Sequence, residues 1–471
     1  MEALVWFRND LRLQDNPALR NAFEQSMNVH AIFIFSNKQL KKHNEANVKI
    51  DFLKSNLFLL DEKLNKLNVP LTIIDSSGFD DNTSLIEQFV EKKNIKKVFW
   101  NNQFGEDEAI RDKLVKILLD KKNIDYETYY DQIIYEPGFL KTGQGLPYSV
   151  FTPFKRKWIE NFEMDFLDIE YRYEAKNDLD YSSNVHDFDF NHKKNHQVNM
   201  ELWPAGEDAA ETRLLRFLNE KAKDYSKNRN DPILDGTSRI SPYLASGIIS
   251  SKKCILEALR INNFEFSSGH IGVNKWIDEI VWREFYKNIM FSFSRVSKGQ
   301  PFQKYTNKIK WRFNKDEFEA WKNGTTGFPL IDAAMRQLKH EGWMHNRLRM
   351  VVAMFFTKNM LHDWRLGEEF FMQNLLDGDF SSNNGGWQWS SSTGTDAAPY
   401  FRIFNPLTQS KNFDAEGLFI KKYVNELKDI DKKEIHCPSD EIRHSCNYPI
   451  EILDLKESRL RAIDAFNAAK N

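Results

Sequence analysis

A basic stretch from Ala333 to His362 is the first part of the chain whose residue types could do chemistry. Its five fixed positive charges and single acid, Glu341, give it a local charge of +4, whereas the whole chain has a formal net charge of −2. The five cations are Arg336, Lys339, Arg347, Arg349 and Lys358. Trp343 lies among them, and cations beside indole rings suit a surface that holds phosphates and stacks bases. A solvated helix face carries similar charges, so that alternative stays open.

A second cluster extends from Asn383 to Trp389 and includes two asparagines, two glycines and two tryptophans. Adjacent glycines let a backbone approach a planar ligand closely, and asparagine amides offer both donors and acceptors. Trp387 and Trp389 are separated by a single residue, so one ring can face inward while the other faces outward. A tight turn holding two core tryptophans is the alternative.

Two further segments combine polar and aromatic groups. The segment from Thr237 to Pro242, with Ser238, Arg239 and Ser241, places hydroxyls and a cation at a predicted helix start, which suits a pyrophosphate. Simple helix capping would explain the same hydroxyls. Glu279 and Trp282 recur at helical spacing with Arg283 and Tyr286. A carboxylate beside an indole suits an amide-bearing base, and an ordinary Glu279–Arg283 ion pair is the alternative.

The elements that must position these residues fall into two classes. Four short apolar segments, around Leu4–Phe7, 31–35, 71–74 and 98–100, are typical of strands buried in a parallel sheet. Amphipathic helices are predicted between them, one with a stripe from Ile50 to Leu67 and another marked by Ile110, Leu114, Ile117 and Leu118. This βαβ succession predicts an α/β, doubly wound parallel-sheet domain over residues 1–135. No GxGxxG motif follows the first strand.

The remaining chain divides into a polar linker, 136–203, and a segment of helical periodicity, 204–471, that we expect to form an all-α domain. Three cysteines without CxxC spacing favour a reducing compartment, and the N-terminus lacks a signal peptide pattern, so we expect a cytoplasmic, soluble protein. No metal centre is expected, because His436, Cys437, His444 and Cys446 fit no zinc spacing.

These clusters occur in the order and spacing of one family. The chain resembles the cryptochrome/photolyase family, and most closely its class I cyclobutane pyrimidine dimer photolyases. The resemblance extends from Trp6–Leu13 through 236–239 and is densest from Gly327 to Asn405, including Trp343–Arg349 and the segment TGTDAAPY at Thr393–Tyr400. It implies an N-terminal antenna-binding domain and a helical FAD- and DNA-binding catalytic domain.

The resemblance also implies roles for individual residues around FAD. The cofactor would be held by Tyr225, Thr237, Ser238, Arg239, Ser241, Asp377 and Asp379, with Asn383 near the flavin N5. Electrons would pass from the protein surface to the photoexcited flavin through Trp311, Trp364 and Trp387. Such a relay would give a physical purpose to an aromatic content of 14%.

The implied substrate is DNA containing a pyrimidine dimer that is flipped out of the duplex. Trp282 and Trp389 would wall the lesion pocket. Polar contacts, packing and phosphate contacts would come from Glu279, Asn346, Met350, Arg229, Arg347 and Arg349. Reduced FAD excited by blue light would donate an electron to the dimer and split it. We expect a monomer with no obligate protein partner and no membrane association.

The resemblance places a light-harvesting antenna in the N-terminal domain. The implied ligand is a reduced folate, 5,10-methenyltetrahydrofolate, near His43, Asn44, Asp107, Glu108 and Lys298. Relatives that bind folate often have Asn where this chain has Asp107, so a deazaflavin or an empty site remains an alternative.

Two other functions compete with dimer repair. A cryptochrome photoreceptor would use the same FAD and tryptophans for signalling without repair; Asn383, where plant cryptochromes tend to have Asp, weighs against it, as do Glu279, Trp282 and Trp389 in the pocket. Repair of (6-4) photoproducts generally needs a histidine pair, and here Met344 precedes His345.

Overall fold

Five short strands form one parallel sheet in the N-terminal part of the chain. They are β1 (Glu2–Phe7), β2 (Asn28–Phe35), β3 (Leu71–Asp75), β4 (Lys97–Asn101) and β5 (Asp125–Tyr129). Their spatial order is β3-β2-β1-β4-β5 with every pair parallel, which is the arrangement of a doubly wound sheet. The four strands predicted from apolar segments are confirmed. The fifth has the polar sequence DYETY and was not predicted.

The computed structural model describes residues 1–175, 181–192 and 194–470; residues 176–180 and 193 of the predicted linker lie outside that range. The α-helices of its first half are α1 (Pro17–Gln25), α2 (Asn37–Lys42), α3 (Asn47–Asn65), α4 (Asn82–Lys92), α5 (Glu106–Lys121), α6 (Phe151–Glu160), α7 (Glu207–Glu220) and α8 (Tyr225–Asn228). Short 3-10 helices cover Met164–Leu167, Met200–Leu202 and Ala222–Asp224.

The C-terminal half is helical in the described residues, as predicted. Its α-helices are α9 (Ser241–Ala245), α10 (Ser251–Ile261), α11 (Ile271–Ser292), α12 (Ser294–Ser297), α13 (Lys315–Asn323), α14 (Pro329–Glu341), α15 (Asn346–Met354), α16 (Trp364–Met372), α17 (Phe380–Ser391), α18 (Pro406–Phe413), α19 (Leu418–Tyr423), α20 (Asp440–Ser445) and α21 (Leu455–Lys470). Two 3-10 helices, Lys304–Lys308 and Asn425–Leu427, and a π-helix at Phe355–Asn359 complete the set.

The chain folds into two compact units that do not follow chain order. Unit 1 comprises Met1–Asn195, Trp203–Glu220 and Ser238–Lys298; unit 2 comprises His196–Leu202, Lys221–Thr237 and Gly299–Asn471. The division into segments 1–135, 136–203 and 204–471 therefore remains a prediction about the sequence.

Each unit has its own apolar core. In unit 1, residues of β1, β2 and β4 pack against α4 and α5 through side chains such as Trp6, Val98 and Trp100. In unit 2, α14, α15, α16 and α17 enclose a larger core that contains Trp321, Trp364 and Trp387. Burial of this apolar surface is the main force that fixes these helices.

The helix marked by Ile110, Leu114 and Ile117 forms as predicted, but it turns these residues outward. All three are exposed by about half, at 52%, 47% and 54%. The buried face of α5 instead carries Arg111, Asp112, Val115 and Leu119. Polar groups can take the inner face because Arg111 and Asp112 are paired there at 2.8 Å.

Candidate functional site

Helix α17 carries the second predicted cluster. Asp379 caps it, since its Oδ1 accepts from Ser382 N at 2.9 Å, and two glycines do not break it. Asn383 donates from Nδ2 to the carbonyl oxygen of Glu368 at 3.0 Å. Trp387 is buried at 2% exposure, whereas Trp389 is half-buried. The cluster is therefore helical, and the expectation that the two rings face different environments is confirmed.

Asn384, the next residue after Asn383, begins a series of hydrogen bonds between buried polar side chains. Asn384 donates from Nδ2 to Glu368 Oε1 at 2.8 Å, and Gln388 Nε2 donates to Asn384 Oδ1 at 2.9 Å. Gln388 Oε1 in turn accepts from Phe302 N at 2.8 Å. Burial raises the pKa of Glu368 to about 7 from its ordinary value of 4.5. A carboxyl group with this pKa can hold a proton near neutral pH.

Trp387 packs in an aromatic cage between α16 and α17. Its ring centroid lies 5.0 Å from that of Phe371, 5.8 Å from Phe356 and 6.1 Å from Trp321, in edge-to-face arrangements. Gly367 makes room for the ring. These contacts fix the indole of Trp387 in one orientation.

Trp364 and Trp311, the other two predicted relay residues, also belong to unit 2. Trp364 is the first residue of α16 and is 1% exposed, and partly buried Trp311 packs against the same core. A parallel bridge between Arg312 and His362 joins the segments that carry the two tryptophans. Arg312 N donates to Leu361 O at 2.9 Å, so the backbone sets their register. We observe all three tryptophans in or against one core.

The five cations of the basic stretch do not form one face, contrary to the simplest interpretation of that stretch. Arg336 pairs with Glu426 at 2.6 Å, and Lys358 is fully buried with its Nζ 2.7 Å from Ser392 Oγ. Arg349 donates from Nη2 to both oxygens of Asp377, at 3.0 and 2.8 Å. Arg336, Arg349 and Lys358 are thus held by polar groups of the protein.

Arg347 lies in a different environment from Arg349. Its Nε and Nη2 donate to Asn230 Oδ1 at 3.2 and 2.9 Å. Burial, together with the positive charges of Arg229 and Arg402, lowers the pKa of Arg347. Guanidinium groups that repel one another in this way are stabilised by an added anion. Arg402 was not predicted; its position beside exposed Phe401 in the TGTDAAPYFR segment was the available signal.

Other predicted residues of unit 2 lie near Arg229 or Arg347 in the sequence. Tyr225 begins α8 and is buried, with the Arg229 guanidinium 5.4 Å from its ring. Gly236 precedes Thr237 and packs so closely on Asn228 that an added Cβ would lie 2.9 Å from the Asn228 Cβ. Asn346, exposed, is the first residue of α15, and Met350 follows one turn later, partly buried.

Unit 1 holds the rest of the predicted pyrophosphate segment. Arg239 has a left-handed φ of 48° just before α9, which begins at Ser241 with Pro242 in its first turn. Trp276 donates from Nε1 to Ser238 Oγ at 3.2 Å, which leaves the Ser238 hydroxyl proton able to donate to a ligand. A non-glycine residue with a left-handed φ, such as Arg239, is typical of functional turns.

Helix α11 positions the predicted lesion-binding residues of unit 1. Trp282 is half-buried, and Phe151 covers one face of it in a parallel stack with centroids 3.7 Å apart. Glu279, one turn earlier, is partly exposed. Arg283 donates to Gln132 O at 2.6 Å and to Ser251 Oγ at 3.0 Å, so it anchors the helix.

The predicted antenna residues come together where α2 ends and α5 begins, both in unit 1. Asp107 Oδ2 lies 2.6 Å from Lys42 Nζ and 3.1 Å from His43 Nε2. His43 Nδ1 lies 3.5 Å from Glu108 Oε1, and Asn44 follows with a left-handed φ of 55°. Lys298 pairs with Glu106, one residue before Asp107, at 3.0 Å.

Lys42 and Lys298 compensate two of the three carboxylates in this group, which are Glu106, Asp107 and Glu108. Although burial alone would raise it, hydrogen bonds from Lys42 and His43 lower the pKa of Asp107. Glu108 is 9% exposed and folds back over Gly105, where an added Cβ would lie 2.2 Å from Glu108 Oε2. Gly105 is therefore needed for the position of Glu108. Lys42 was not predicted as part of this group.

Two absences were observed in the part of the chain that the structure describes. Within residues 1–175, 181–192 and 194–470, no group of three potential ligand side chains could hold a metal ion. No helix in those same ranges is long and apolar enough to cross a membrane.

Comparison with known proteins identifies the family. Residues 3–171 match the family model of DNA photolyase, and residues 276–468 match the FAD binding domain of DNA photolyase. A curated relative, the deoxyribodipyrimidine photo-lyase of Buchnera aphidicola, is 38% identical over 99% of this chain and 97% of its own length.

Two solved structures share the fold over nearly the full length. A bacterial class III photolyase from Agrobacterium tumefaciens has a TM-score of 0.90 at 31% identity and covers 100% of this chain and 98% of its own. A cryptochrome from Synechocystis has a TM-score of 0.83 at 25% identity and covers 98% of this chain and 99% of its own. The chain, an α/β parallel-sheet domain followed by a helical FAD-binding domain, therefore belongs to the DNA photolyase group of the cryptochrome/photolyase family.

Proposed function

We propose that this chain is a deoxyribodipyrimidine photo-lyase of class I, which uses light to split cyclobutane pyrimidine dimers in DNA. The curated relative with this name is 38% identical over nearly the whole chain, whereas the cryptochrome likeness has 25% identity. Fold alone does not separate repair from signalling, because both kinds of protein share it. Repair is the function that the relatives and the site residues support together.

The observation that carries this proposal is the placement of Asn383 and Trp387 on one face of α17. Residues four apart on a helix are neighbours, so an amide suited to a flavin ring lies next to a buried indole. Asn383 uses its Nδ2 on the Glu368 carbonyl, and its Oδ1 can accept a hydrogen bond from an N–H group of the ring. The residues present thus fit FAD.

The remaining FAD contacts follow from the donor groups. We assign the phosphates to Thr237, Ser238, Arg239 and Ser241, with Tyr225 beside them, and the ribose and ring to Asp377 and Asp379. Arg349 holds the Asp377 carboxylate in place. Reduced FAD, when bound and excited by near-UV or blue light, supplies one electron to the dimer and recovers it after the ring has split. The protein then needs to orient the lesion and exclude water, without a nucleophile or general acid.

The DNA contacts divide between stacking and charge. Trp282 and Trp389 stack against the flipped pyrimidines, Glu279 and Asn346 accept and donate to their edges, and Met350 packs against them. A dimer stacks and pairs poorly, so extruding it costs less than extruding normal bases. Arg229 and Arg347 bind the flanking phosphates. We add Arg402 to this pair and move Arg349 from the phosphates to Asp377, because its guanidinium is committed there.

For the antenna we propose a reduced folate, 5,10-methenyltetrahydrofolate, at His43, Asn44, Asp107, Glu108 and Lys298. Neighbouring carboxylates suit the N–H edge of a pteridine ring because they accept two hydrogen bonds at once. The Lys42–Asp107 pair must open or tilt to admit the ring. A deazaflavin remains the alternative. Glu108→Gln should reduce the folate absorbance of reconstituted protein, and Asp120→Asn, an exposed carboxylate near the other end of α5, is the matched control; equal loss in both variants would contradict the assignment.

The decisive experiment compares light and dark. Purified protein with reduced flavin, given an oligonucleotide with one thymine dimer, should restore the two thymines under blue light and leave the dimer intact in the dark. The protein should bind as a monomer and prefer damaged to undamaged DNA. Binding should weaken steeply with salt, since phosphate contacts release counterions. Flavin-loaded protein that binds but never repairs the dimer would instead support a photoreceptor.

A further inference from the structure

Trp364, the middle tryptophan of the proposed relay, has opposite charges on both of its chain neighbours. The guanidinium carbon of Arg365 lies 4.8 Å from the centroid of the Trp364 ring. Asp363 accepts from Arg365 Nη1 with both carboxylate oxygens at 3.0 Å. Arg365 Nε also donates to Gly299 O at 2.7 Å, which fixes the guanidinium over the ring. A cation and its counter-ion are thus held beside a buried indole.

These charges affect how readily Trp364 loses an electron. A positive charge over an indole stabilises the neutral ring and opposes formation of its radical cation. Trp364 is 1% exposed, whereas the Arg365 and Asp363 side chains are 34% and 30% exposed, so water screens the interaction only in part. At this separation the interaction is large enough to change the equilibrium constant for electron transfer between two tryptophans by about tenfold. An uncompensated Arg365 would therefore obstruct the middle of the relay.

We propose that Asp363 is a positioning residue for electron transfer: its carboxylate compensates the Arg365 cation and keeps Trp364 oxidisable. This inference rests on the proposed function, because it assumes that Trp364 takes part in the relay. Asp363 has a second, separable role as the cap of α16, where its Oδ1 accepts from Arg365 N at 3.1 Å. The carboxylate charge and the cap can be separated because asparagine also caps helices well.

Each electron transfer in the relay is balanced. Trp387 gives one electron to the photoexcited cofactor and becomes a radical cation, which takes one electron from Trp364. Trp364 then takes one electron from Trp311. The Trp311 radical releases its Nε1 proton to solvent, and an external thiol reduces it. Arg365 lies over Trp364, so the Asp363 carboxylate affects the two transfers in which Trp364 takes part, first as donor to Trp387 and then as acceptor from Trp311.

The test uses flavin-loaded holoenzyme and three variants: Asp363→Asn, Arg365→Gln and the double variant. Transient absorption after a laser flash measures how long the Trp387 vacancy persists and how much long-lived indole radical forms. Asp363→Asn should lower the long-lived yield by about tenfold, because it leaves Arg365 uncompensated. Arg365→Gln should equal or exceed the unmodified protein, and the double variant should recover most of the lost yield.

Recovery in the double variant is the outcome that a purely structural role for Asp363 would not produce. Glu368, whose pKa both charges influence, also regains a balanced environment in that variant. If Asp363→Asn behaves as the unmodified protein, or if the double variant stays as impaired as Asp363→Asn, the inference is wrong. Thermal unfolding of each variant identifies loss of the cap.

Failure of the proposed function itself would look different. Trp364→Phe should abolish the long-lived radical; an unchanged radical yield in this variant would remove Trp364 from the relay and overturn the role of Asp363, whereas the repair assay alone decides the photo-lyase assignment. Dimer repair by pre-reduced protein should be the same in the Asp363 and Arg365 variants, because repair by the reduced cofactor does not draw electrons through the relay. Absence of repair in the unmodified protein, with the radical yields ordered as above, would reject the photo-lyase assignment and leave the role of Asp363 standing.

Discussion

The ring of Trp387 occupies the space where a side chain on Gly367 would begin. A Cβ added to Gly367 would lie 2.1 Å from Cη2 of Trp387, far inside van der Waals contact. Helices α16 and α17 can approach each other only because residue 367 has no side chain. The position of the proposed first electron donor is therefore set by a glycine on the neighbouring helix.

Gly367→Ala should displace Trp387 and destabilise unit 2. Overpacking of a filled core costs about 1–3 kcal/mol, and here the clash is with a rigid ring. Gly386→Ala is the matched control: an added Cβ there meets no atom within 4 Å, and alanine should stabilise the helix by about 0.5–1 kcal/mol. Urea unfolding and near-UV circular dichroism measure both effects. Equal stability of the two variants would contradict the close approach of α16 to α17 at this residue.

Arg349→Gln and Arg347→Gln should separate cofactor binding from DNA binding, although the two arginines are separated by a single residue. Loss of Arg349 leaves the buried Asp377 carboxylate uncompensated, which costs about 3–5 kcal/mol and should lower the flavin content. Loss of Arg347 should preserve flavin content and weaken binding to damaged DNA with a smaller salt dependence. Flavin absorbance per protein and titration with dimer-containing DNA test the pair, and a reversed pattern would refute the reassignment of Arg349.

Glu368→Gln should change how stability depends on pH. Burial raises the pKa of Glu368 to about 7 in the folded protein, whereas the unfolded chain titrates near 4.5. Between these values the unfolded chain releases its proton and the folded chain keeps it, so stability falls as pH rises through that window. Glutamine keeps an oxygen for Asn384 but does not titrate. Relative to the unmodified protein, the free energy of unfolding of the variant should therefore rise by up to about 3 kcal/mol from pH 4.5 to pH 8.

Exposed Glu369 provides the control for that measurement. Glu369→Gln alters the neighbouring residue without removing a buried carboxyl group. Its unfolding free energy should follow that of the unmodified protein across the same pH range. A constant difference between Glu368→Gln and the unmodified protein from pH 4.5 to 8 would show that Glu368 does not titrate in this window.

Trp387→Phe should slow photoreduction of the cofactor and leave repair by pre-reduced protein nearly unchanged. Phenylalanine fills much of the aromatic cage but is far harder to oxidise than indole. Trp321→Phe is the matched control, since Trp321 is buried 6.1 Å from Trp387 in the same core and lies outside the proposed relay. Photoreduction is measured under anaerobic illumination, and dimer repair is measured in a second assay. Equal loss of both activities in Trp387→Phe would contradict the assignment of Trp387 to photoreduction alone.

Much of the architecture could be predicted because local patterns are strong. Strands β1 to β4 are apolar and largely buried, and α3 and α14 carry clear apolar stripes. Strand β5 was missed because it is polar, lies at the sheet edge and is held mainly by pairing with β4. The outward-facing stripe of α5 could not be foreseen, since its inner face is satisfied by ion pairs between residues distant in sequence, such as Arg8 and Asp112.

The sequence by itself determined the family, the helical and strand segments and the residue types available for FAD, DNA and antenna binding, because these depend on local periodicity and on motifs. Only the tertiary structure decided the surroundings of each charge. Arg349 is bound by Asp377, Lys358 is buried, and the positive charge of Arg402 lowers the pKa of Arg347. The physical reason is that a charge must be compensated by whichever groups the fold brings within a few ångströms, and those groups come from distant parts of the chain.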